Sequence, residues 1–375
     1  MAEKQKPGAM TGGTIETGEL RPVEPGEIVL AVSGPISAHR KDSSSPDTDY
    51  GMLASLLDAV VVGSPQKAGF SLMKRFEDAA ALDIRQALHI VRTYPNALAY
   101  VSFSERIGLP LALLLRMRKS PPAHMMIAHR LNTSKKRALD KLAKWHHGVD
   151  RIVTLCSAQT EYARGFLPKA SVFVRQGTDD RFYRPAEVEE SDYVLAVGSE
   201  SRDYRTLMTA LAQTDLHLKV VSSSPWCRKK AALGGASGKV EILPRLDHAA
   251  LRDLYRRAKL VVVPLHDVEY AAGLNGVLEA FCMNKPLIVS ASRGISDYVS
   301  HMENAYVVPA GDVNAMAAAL RIVDQTELMR EHLKSGAARA VQEYDNLGGY
   351  ARRLEHELRV MLAVREGAPL PTQES

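Results

Sequence analysis

Glu279 lies in an apolar stretch whose residue types suit the binding of a nucleotide. The sequence from Ala271 to Ser290 reads AAGLNGVLEAFCMNKPLIVS, and an apolar run ending at Pro264 precedes it. Gly273 lets the backbone approach a ligand, and the free N–H groups of a helix starting near Asn275 suit a diphosphate. Glu279, one turn further along the same face, can accept hydrogen bonds from two ribose hydroxyls. A solvated helical glutamate is the alternative, but the apolar flanks favour a partnered carboxylate.

A second group of candidate residues follows the predicted strands of the N-terminal half. His129 ends one of these strands, at a sheet edge that can face a cleft between domains. Gly34 and Ser37 follow the first strand, where a glycine loop can approach a phosphate, and Arg40 and Lys41 can assist it. A structural histidine and an ordinary turn are the alternatives here.

These residues must be positioned by a chain that alternates apolar β-branched runs with amphipathic helical stretches. This pattern is typical of parallel βαβ units, and 375 residues exceed one compact core. We therefore predict an α/β protein with two Rossmann-like domains. The predicted segments are a disordered leader at 1–25, an N-terminal domain at 26–180, a C-terminal domain at 190–345 and a last helix at 346–366 that can pack back on the N-terminal domain. The polar segment Thr178–Glu190, which contains Pro185, is interpreted as the linker.

The spacing of apolar residues along the chain predicts the individual strands and helices. Strands are expected in the first half at Glu27–Ser33, Ala59–Val62, Ala99–Phe103, Met125–His129 and Arg151–Leu155. Strands are expected in the second half at Tyr193–Gly198, Leu218–Ser222, Leu260–Pro264, Pro286–Ser290 and Ala305–Val308. Predicted helices include Asn132–His146, Asp203–Gln213, a helix capped by Asp247, Val313–Val323, Thr326–Tyr344 and Leu347–Val364.

Composition narrows the classes of partner. A formal net charge of +5 favours an anion, which a nucleotide, a phospholipid surface or a nucleic acid would provide. Aromatic residues make up only 6% and are not interleaved with basic ones, which argues against a nucleic acid. Three scattered cysteines, with no apolar signal or membrane-spanning run, favour a cytoplasmic protein. The basic region Arg116–Lys144, beside the apolar run Ile107–Leu115, can attract anionic lipid headgroups or can be a buried helix followed by a solvated basic face.

Five segments of the chain, in order, resemble one enzyme family. Gly273–Ala280 (GLNGVLEA), followed by Asn284–Val289 (NKPLIV), closely resembles the donor-site helix of retaining GT-B glycosyltransferases, the group 1 or family 4-like enzymes. The other similar segments are Gln176–Pro185, Val197–Leu207, Gly294–Val299 and Asn304–Asp312. The resemblance covers about Arg175 to Tyr344. It implies the GT-B architecture, in which two Rossmann-like domains with parallel sheets face a central cleft.

The resemblance implies an enzyme that moves a sugar from a nucleoside-diphosphate sugar to a hydroxyl acceptor with retention of anomeric configuration. The acceptor would be a glycan, a lipid-linked molecule or a small molecule, and neither a cofactor nor an essential metal is expected. Glu279 would bind the ribose, and Arg202 and His129 would act at the reacting centre. Further implied donor-binding residues are Gly34, Gly198, Ser199, Arg205, Leu246, Gly273, Leu274, Asn275, Gly276 and Val277.

Some basic residues near this site have a plainer interpretation. Arg205 is also interpretable as a surface residue of its helix, and Lys229 and Lys230 belong to a run typical of a solvated face. The segment Leu243–Asp247 is similar to the place where the family reads the nucleobase through backbone groups, so the base stays unidentified.

Ala271 departs from the family's pattern. Many members carry a second glutamate eight positions before the ribose glutamate, where it contacts the donor sugar, and the nearest carboxylate here is Glu269. A non-catalytic nucleotide-sugar-binding protein is therefore the alternative. A GT-B-shaped epimerase that converts the free donor and a basic nucleic-acid-binding protein are more distant ones.

Overall fold

The computed structural model describes residues 27–34, 36, 44–64, 72–168, 170–222 and 238–371. Within these ranges the chain forms two six-stranded sheets whose paired strands are all parallel. The predictions for the leader at 1–25 and for Ser37, Arg40, Lys41, Lys229 and Lys230 lie outside the described residues.

The first sheet has the strand order β2-β1-β3-β4-β5-β6. Its strands are β1 (Ile28–Ala31), β2 (Val60–Val62), β3 (Ala99–Ser102), β4 (Ala123–Ala128), β5 (Arg151–Thr154) and β6 (Ser171–Phe173). Its helices are α1 (Asp49–Leu57), α2 (Leu72–Ala80), α3 (Ile84–Thr93), α4 (Glu105–Leu115), α5 (Ser134–Ala143) and α6 (Ser157–Arg164), with a 3₁₀ turn at Trp145–Gly148. Because β1 lies between β2 and β3, the chain reverses its direction across the sheet there, and loops leave β1 and β3 on opposite sides.

The second sheet has the order β12-β11-β10-β7-β8-β9. Its strands are β7 (Val194–Val197), β8 (Leu218–Val221), β9 (Val240–Leu243), β10 (Leu260–Val263), β11 (Leu287–Ser290) and β12 (Tyr306–Val308). Its helices are α7 (Tyr204–Leu211), α8 (His248–Arg257), α9 (Leu274–Cys282), α10 (Val313–Gln325) and α11 (Glu327–Ala340), with a π turn at Val341–Asp345. The reversal lies between β7 and β10, and such open sheets bind ligands beyond the carboxyl ends of the strands at this point.

Local side chains explain where several of these helices begin. Asp247 accepts a hydrogen bond from the N–H of Ala250 at 2.8 Å, which confirms the predicted cap of α8. Asp203 and Asp312 cap α7 and α10 in the same way. The caps therefore fix the starts of helices that follow β7, β9 and β12.

A last helix, α12 (Leu347–Glu366), returns from the second sheet to the first. Its residues Tyr350, Leu354 and Leu358 are buried in the core of the N-terminal domain, together with Leu53 of α1. Just before it, Thr178 and Asn346 form a parallel bridge, so the two passages of the chain between the domains lie side by side.

A buried ion pair holds this crossing point. Arg175 donates through Nε to Asp345 Oδ1 at 2.6 Å, and Asp345 is fully buried. The Arg175 guanidinium also lies 4.6 Å from the centre of the Tyr298 ring. The first passage of the chain is thereby fastened to the second.

The α/β class and the two parallel sheets predicted from the sequence are confirmed, and the differences are local. Strands β6 and β9 were not predicted, because both are short edge strands: β6 has 3 residues, and Glu241 interrupts the apolar pattern of β9. The helix predicted over Asn132–His146 ends at Ala143, because Lys144 adopts a left-handed conformation with φ of 43°. The helix predicted over Thr326–Tyr344 changes to a π turn after Ala340.

Across the described ranges, none of the helices combines the length and the apolar character that a membrane crossing requires.

Candidate functional site

Two glycine loops meet at the reversal point of the second sheet. Gly198 directly follows β7 and has φ of 98°, and Gly273 directly precedes α9 and has φ of 84°. These left-handed conformations are unfavourable for residues with a Cβ atom, so glycine suits both positions. The loops bring the end of β7 close to the N-terminus of α9.

The guanidinium of Arg202 lies between these loops. Its Nε donates to the carbonyl of Val197 at 3.1 Å and its Nη1 to the carbonyl of Glu200 at 3.0 Å. A Cβ atom added at Gly198 would lie 2.7 Å from Nη2, and one added at Gly273 would lie 3.1 Å from Nη1. The glycines therefore make the space that the cation occupies, and the cation lies at the N-terminus of α9.

The third glycine of the site extends this arrangement along α9. A Cβ atom at Gly276 would lie 3.6 Å from Arg202 Nη2, an ordinary van der Waals distance. The first N–H groups of a helix have no partner within it and carry a partial positive charge. A guanidinium and a helix N-terminus together form a site suited to an anion such as a diphosphate.

Glu279 lies one turn into α9 and is partly buried. The hydroxyl of Tyr255 donates to its Oε2 at 2.9 Å, and the hydroxyl of Tyr183 also hydrogen-bonds to it. Burial raises the pKa of Glu279 to about 7, although the two tyrosines and Arg202 oppose this shift. The expectation that this carboxylate has partners is confirmed, and its role as the ribose ligand stays a prediction.

The two tyrosines were missed by the sequence analysis. Tyr255 was assigned only to the apolar face of its helix, and it is completely buried. Tyr183 belongs to the segment interpreted as the linker, yet it is only 2% exposed and packs in the core of the C-terminal domain. The sequence did offer a signal that Tyr183 is buried, because two aromatic residues stand together in the otherwise polar sequence RFYRP.

The reversal point of the first sheet carries neutral polar groups. The hydroxyls of Ser33, after β1, and Ser104, after β3, are 2.7 Å apart. Gly34 has φ of 101°, and its N–H donates to the hydroxyl of Ser64 at 3.2 Å. The loop predicted to approach a phosphate therefore begins in a conformation that suits glycine.

His129 lies one residue beyond the end of β4, with an exposed ring. Its Nε2 donates to the carbonyl of Phe103, which follows β3, at 3.1 Å. This bond holds the ring at the carboxyl edge of the first sheet.

Glu269 joins the two domains across the cleft. Asn132, in the loop after β4, donates through Nδ2 to its Oε2 at 2.8 Å, and Arg293 pairs with its Oε1 at 2.7 Å. The adjacent Tyr270 ring lies under the guanidinium of Arg130, 4.4 Å away. The carboxylate nearest to Ala271 is thus engaged with the N-terminal domain in this structure.

The other predicted donor-binding residues are more dispersed. Ser199 is exposed, and Arg205 lies on the exposed face of α7. The side chains of Leu274 and Val277 are buried in the core, so only their backbone atoms are available to a donor. Asn275 is exposed, and its Oδ1 accepts a hydrogen bond of 3.3 Å from Gln176. The side chain of Leu246, just before α8, packs against the edge of the same core.

The site coincides with a known family signature. Residues 199–323 match the family model described as glycosyl transferases group 1. The predicted resemblance is confirmed over these residues, and the segment Gln176–Pro185 lies outside the match. No curated protein matches the chain in sequence.

Solved structures show how the whole chain is built. Sucrose-phosphate synthase from Thermosynechococcus elongatus superposes with a TM-score of 0.69 at 16% identity, over 90% of this chain and 100% of that one. The Anabaena protein HepE in complex with UDP and glucose gives 0.67 at 14% identity, over 88% and 99%. The fold is GT-B. A glycosyltransferase from Rickettsia africae is similar as well, with a TM-score of 0.64, 12% identity and coverage of 90% and 99%. In this GT-B chain, Arg202 and Glu279 belong to the matched segment.

Proposed function

We propose that the protein is a glycosyltransferase that moves a sugar from a nucleoside-diphosphate sugar to a hydroxyl acceptor. The observation that carries this proposal is the position of Arg202, whose guanidinium lies between Gly198 and Gly273 at the N-terminus of α9. The match to group 1 glycosyl transferases supports it. HepE was solved with UDP and glucose, which makes uracil the first base to test.

Glu279 and the start of α9 bind the nucleotide in this proposal. The carboxylate accepts hydrogen bonds from the ribose hydroxyls, and the N–H groups of residues 274–277 contact the diphosphate. On binding, the ribose replaces one or both tyrosine hydroxyls as a partner of Glu279 or joins them. No divalent metal is required, because Arg202 and the helix N-terminus supply the positive charge. Turnover that persists in excess chelator would agree with this, and turnover lost until magnesium or manganese is restored would contradict it.

Arg202 stabilises the leaving group. As the bond between the anomeric carbon and the phosphate oxygen breaks, negative charge grows on the nucleoside diphosphate, where a fixed cation lowers the barrier. The acceptor oxygen bonds to the anomeric carbon on the same face, and its proton passes to the departing phosphate oxygen. The sugar then keeps its anomeric configuration. His129, from the opposite domain, contacts the sugar or the acceptor.

A non-catalytic nucleotide-sugar-binding protein is the second candidate. Ala271 stands where a sugar-binding glutamate is common in the family, and Glu269 is engaged with Asn132 and Arg293. This candidate predicts donor binding without any transfer or hydrolysis, even when cell extract supplies acceptors.

We also propose that the N-terminal domain contacts an anionic membrane surface, as a peripheral protein on its cytoplasmic face. Helix α5 has no buried residue, and the side chains of Leu142 and Met117 are 87% and 84% exposed. Basic residues surround them in the region Arg116–Lys144. Cosedimentation with vesicles containing phosphatidylglycerol, reduced by Leu142→Asn, would support this surface. Equal sedimentation of the variant would argue against it.

The first experiment is a thermal-shift panel of UDP-, GDP-, ADP- and TDP-sugars without added metal. Stabilisation by one nucleotide family, abolished in Glu279→Ala, supports the donor site and identifies the base. A search for transfer with that donor then separates the enzyme from the binding protein. No stabilisation by any nucleotide would refute the donor site.

A further inference from the structure

A cavity lies at the opposite edge of the first sheet, where its strands begin. Its volume is about 370 Å³, and its lining includes Arg116, Arg118, His147, Asp150 and Arg365. Sites for small molecules usually measure about 300–1,000 Å³. Since the donor site lies beyond the carboxyl ends of the strands, this cavity belongs to a separate surface.

A second cavity adjoins the first. It measures about 530 Å³ and shares Pro121, Pro122 and Arg365 with it. Its remaining lining is largely uncharged and includes Asn96, Leu98 and Ser120, with Glu366 at its margin. Together the two spaces form a groove with a basic part and a more neutral part.

Positive charge in the basic part is only partly neutralised. Asp150 accepts hydrogen bonds from Arg365 Nη1 at 3.0 Å and from the N–H of His124 at 2.8 Å, so Arg365 is its charged partner. Arg116 and Arg118 instead donate to backbone carbonyls, which carry no net charge. Two guanidinium charges therefore remain available to an anion.

Arg118, which lines the cavity, is held by neutral groups. Its Nη2 donates to the carbonyl of Pro95 at 3.0 Å, and its side chain also hydrogen-bonds to the hydroxyl of the buried Tyr100. These partners carry no opposite charge, so the guanidinium charge stays unmatched. The neighbouring His147 shows the same positive environment, because partial desolvation and then the charges of His146, Arg116 and Lys144 lower its pKa.

We propose that this cavity binds a phosphate group, with Arg116 and Arg118 contacting the anion and the adjoining cavity holding the uncharged remainder of the ligand. The planar fork of a guanidinium matches two phosphate oxygens, which favours phosphate over a simple monovalent anion. The phosphate belongs either to a soluble small molecule or to a lipid headgroup. This site does not depend on the proposed transferase activity.

Titration of the whole protein with inorganic phosphate, against chloride at matched ionic strength, tests the site by thermal shift and calorimetry. The dissociation constant is expected to rise about tenfold in Arg118→Gln and in Arg116→Gln, since a charge-assisted hydrogen bond is lost in each. Arg339→Gln removes one exposed arginine of α11, away from both sites, and should change nothing. Arg202→Gln tests whether phosphate binds in the donor site instead, because loss of phosphate affinity in this variant would place the phosphate there.

Some results with these variants would overturn the proposal. Phosphate binding that Arg202→Gln abolishes and Arg118→Gln leaves intact would overturn it. If Arg118→Gln unfolds without ligand, Arg116→Gln carries the test, because Arg116 is exposed. Vesicles of phosphatidylcholine with and without phosphatidylglycerol identify the source of the phosphate. Sedimentation that Arg118→Gln reduces identifies a lipid headgroup, and phosphate binding without sedimentation identifies a soluble ligand. If the wild-type protein shows neither phosphate binding nor sedimentation with the vesicles, the site is refuted.

Discussion

The two sheets of this protein have the same number of strands, and each reverses its direction once, yet the two reversal points carry different chemistry. In the C-terminal domain, Gly198 leaves room for the guanidinium of Arg202, close to the carboxylate of Glu279. In the N-terminal domain, the N–H of Gly34 donates to the hydroxyl of Ser64, and the hydroxyls of Ser33 and Ser104 contact each other. The two edges are equivalent in topology, and among the described side chains the guanidinium held between two glycines belongs to the C-terminal edge.

The charged groups of the C-terminal site are held by neutral partners. Carbonyl oxygens of Val197 and Glu200 orient Arg202, and hydroxyls of Tyr255 and Tyr183 orient Glu279. Because neither charge is fully matched by an opposite charge, both remain available to a ligand that carries a diphosphate and two hydroxyls. At the N-terminal edge, the described carboxylate of Glu105, which follows β3, is instead paired with the opposite charge of Lys136 at 3.2 Å.

Removing the guanidinium of Arg202 tests the difference between the two reversal points most strongly. Arg202→Ala is expected to lower kcat about 10²- to 10³-fold, with a smaller effect on donor affinity, because the charge acts mainly on the leaving group. Arg339→Ala is the matched control, since it removes an exposed arginine from α11. Steady-state kinetics with the donor identified by thermal shift would measure both. An equal loss of kcat in the two variants would contradict the assignment of Arg202 to leaving-group stabilisation.

Removal of the carboxylate should act on binding. Glu279→Ala is expected to weaken nucleoside-diphosphate affinity about tenfold to a hundredfold, because hydrogen bonds to a charged group are lost. Glu279→Gln keeps the size and part of the hydrogen bonding and should lose less. Calorimetry with UDP and circular dichroism of both variants provide the comparison, and an unchanged affinity in Glu279→Ala would be incompatible with a ribose ligand.

The two glycines allow a direct comparison of the edges. Gly198→Ala and Gly34→Ala both place a side chain at positive φ, and each should lose about 1–2 kcal/mol of unfolding free energy. Only the Cβ atom at Gly198 would displace the Arg202 guanidinium, since the one at Gly34 meets no described atom within 4 Å. Transfer activity should therefore fall further in Gly198→Ala. Chemical denaturation and kinetics measure the two effects, and a larger activity loss in Gly34→Ala would place the critical anion site in the N-terminal domain.

The smallest expected effect is a pH dependence of nucleotide binding. The pKa of Glu279 is raised to about 7, and the ionised form accepts the ribose hydrogen bonds. Affinity should therefore rise with pH between 6 and 8, by up to about tenfold per unit below the pKa. Tyr255→Phe removes a hydrogen bond that favours the ionised form, so the midpoint should move to higher pH. Calorimetry across this range measures the midpoint, and a profile in Glu279→Gln identical to the wild type would assign the dependence to another group.

The sequence was sufficient for the parts of the site that follow one another along the chain. Gly273 and Glu279 lie in one short loop and helix, and Arg202 follows a predicted strand, so the pattern located these segments; the role of Arg202 came from the family resemblance, and the roles of all three stay predictions. The tyrosines were not predictable in this way, because Tyr183, Tyr255 and Glu279 belong to three separate segments that meet only in the folded core. Glu269 was noted as the nearest carboxylate, but its bond to Asn132 depends on how the domains face each other.

Strands at the edges of the sheets were also difficult to predict from the sequence. Strands β6 and β9 lie at the edges of their sheets, where one side is unpaired and polar residues are tolerated. Their apolar pattern is therefore too weak to be distinguished from a loop. The central strands are buried on both faces, and their continuous apolar runs were easy to identify.

The adjacent crossings at Thr178 and Asn346 determine how the cleft can open. Because the two passages between the domains lie side by side, a rotation of one domain relative to the other would be centred near them. Arg175 and Asp345 lie at these passages, whereas the bond between Asn132 and Glu269 joins the loop after β4 to the C-terminal domain. A Cβ atom at Gly177 would overlap the carbonyl of Asn346, so the crossing also has no room for a larger residue there. Gln176, between Arg175 and Gly177, donates to Asn275 at the start of α9 at 3.3 Å, so the crossing is also in contact with the proposed donor site.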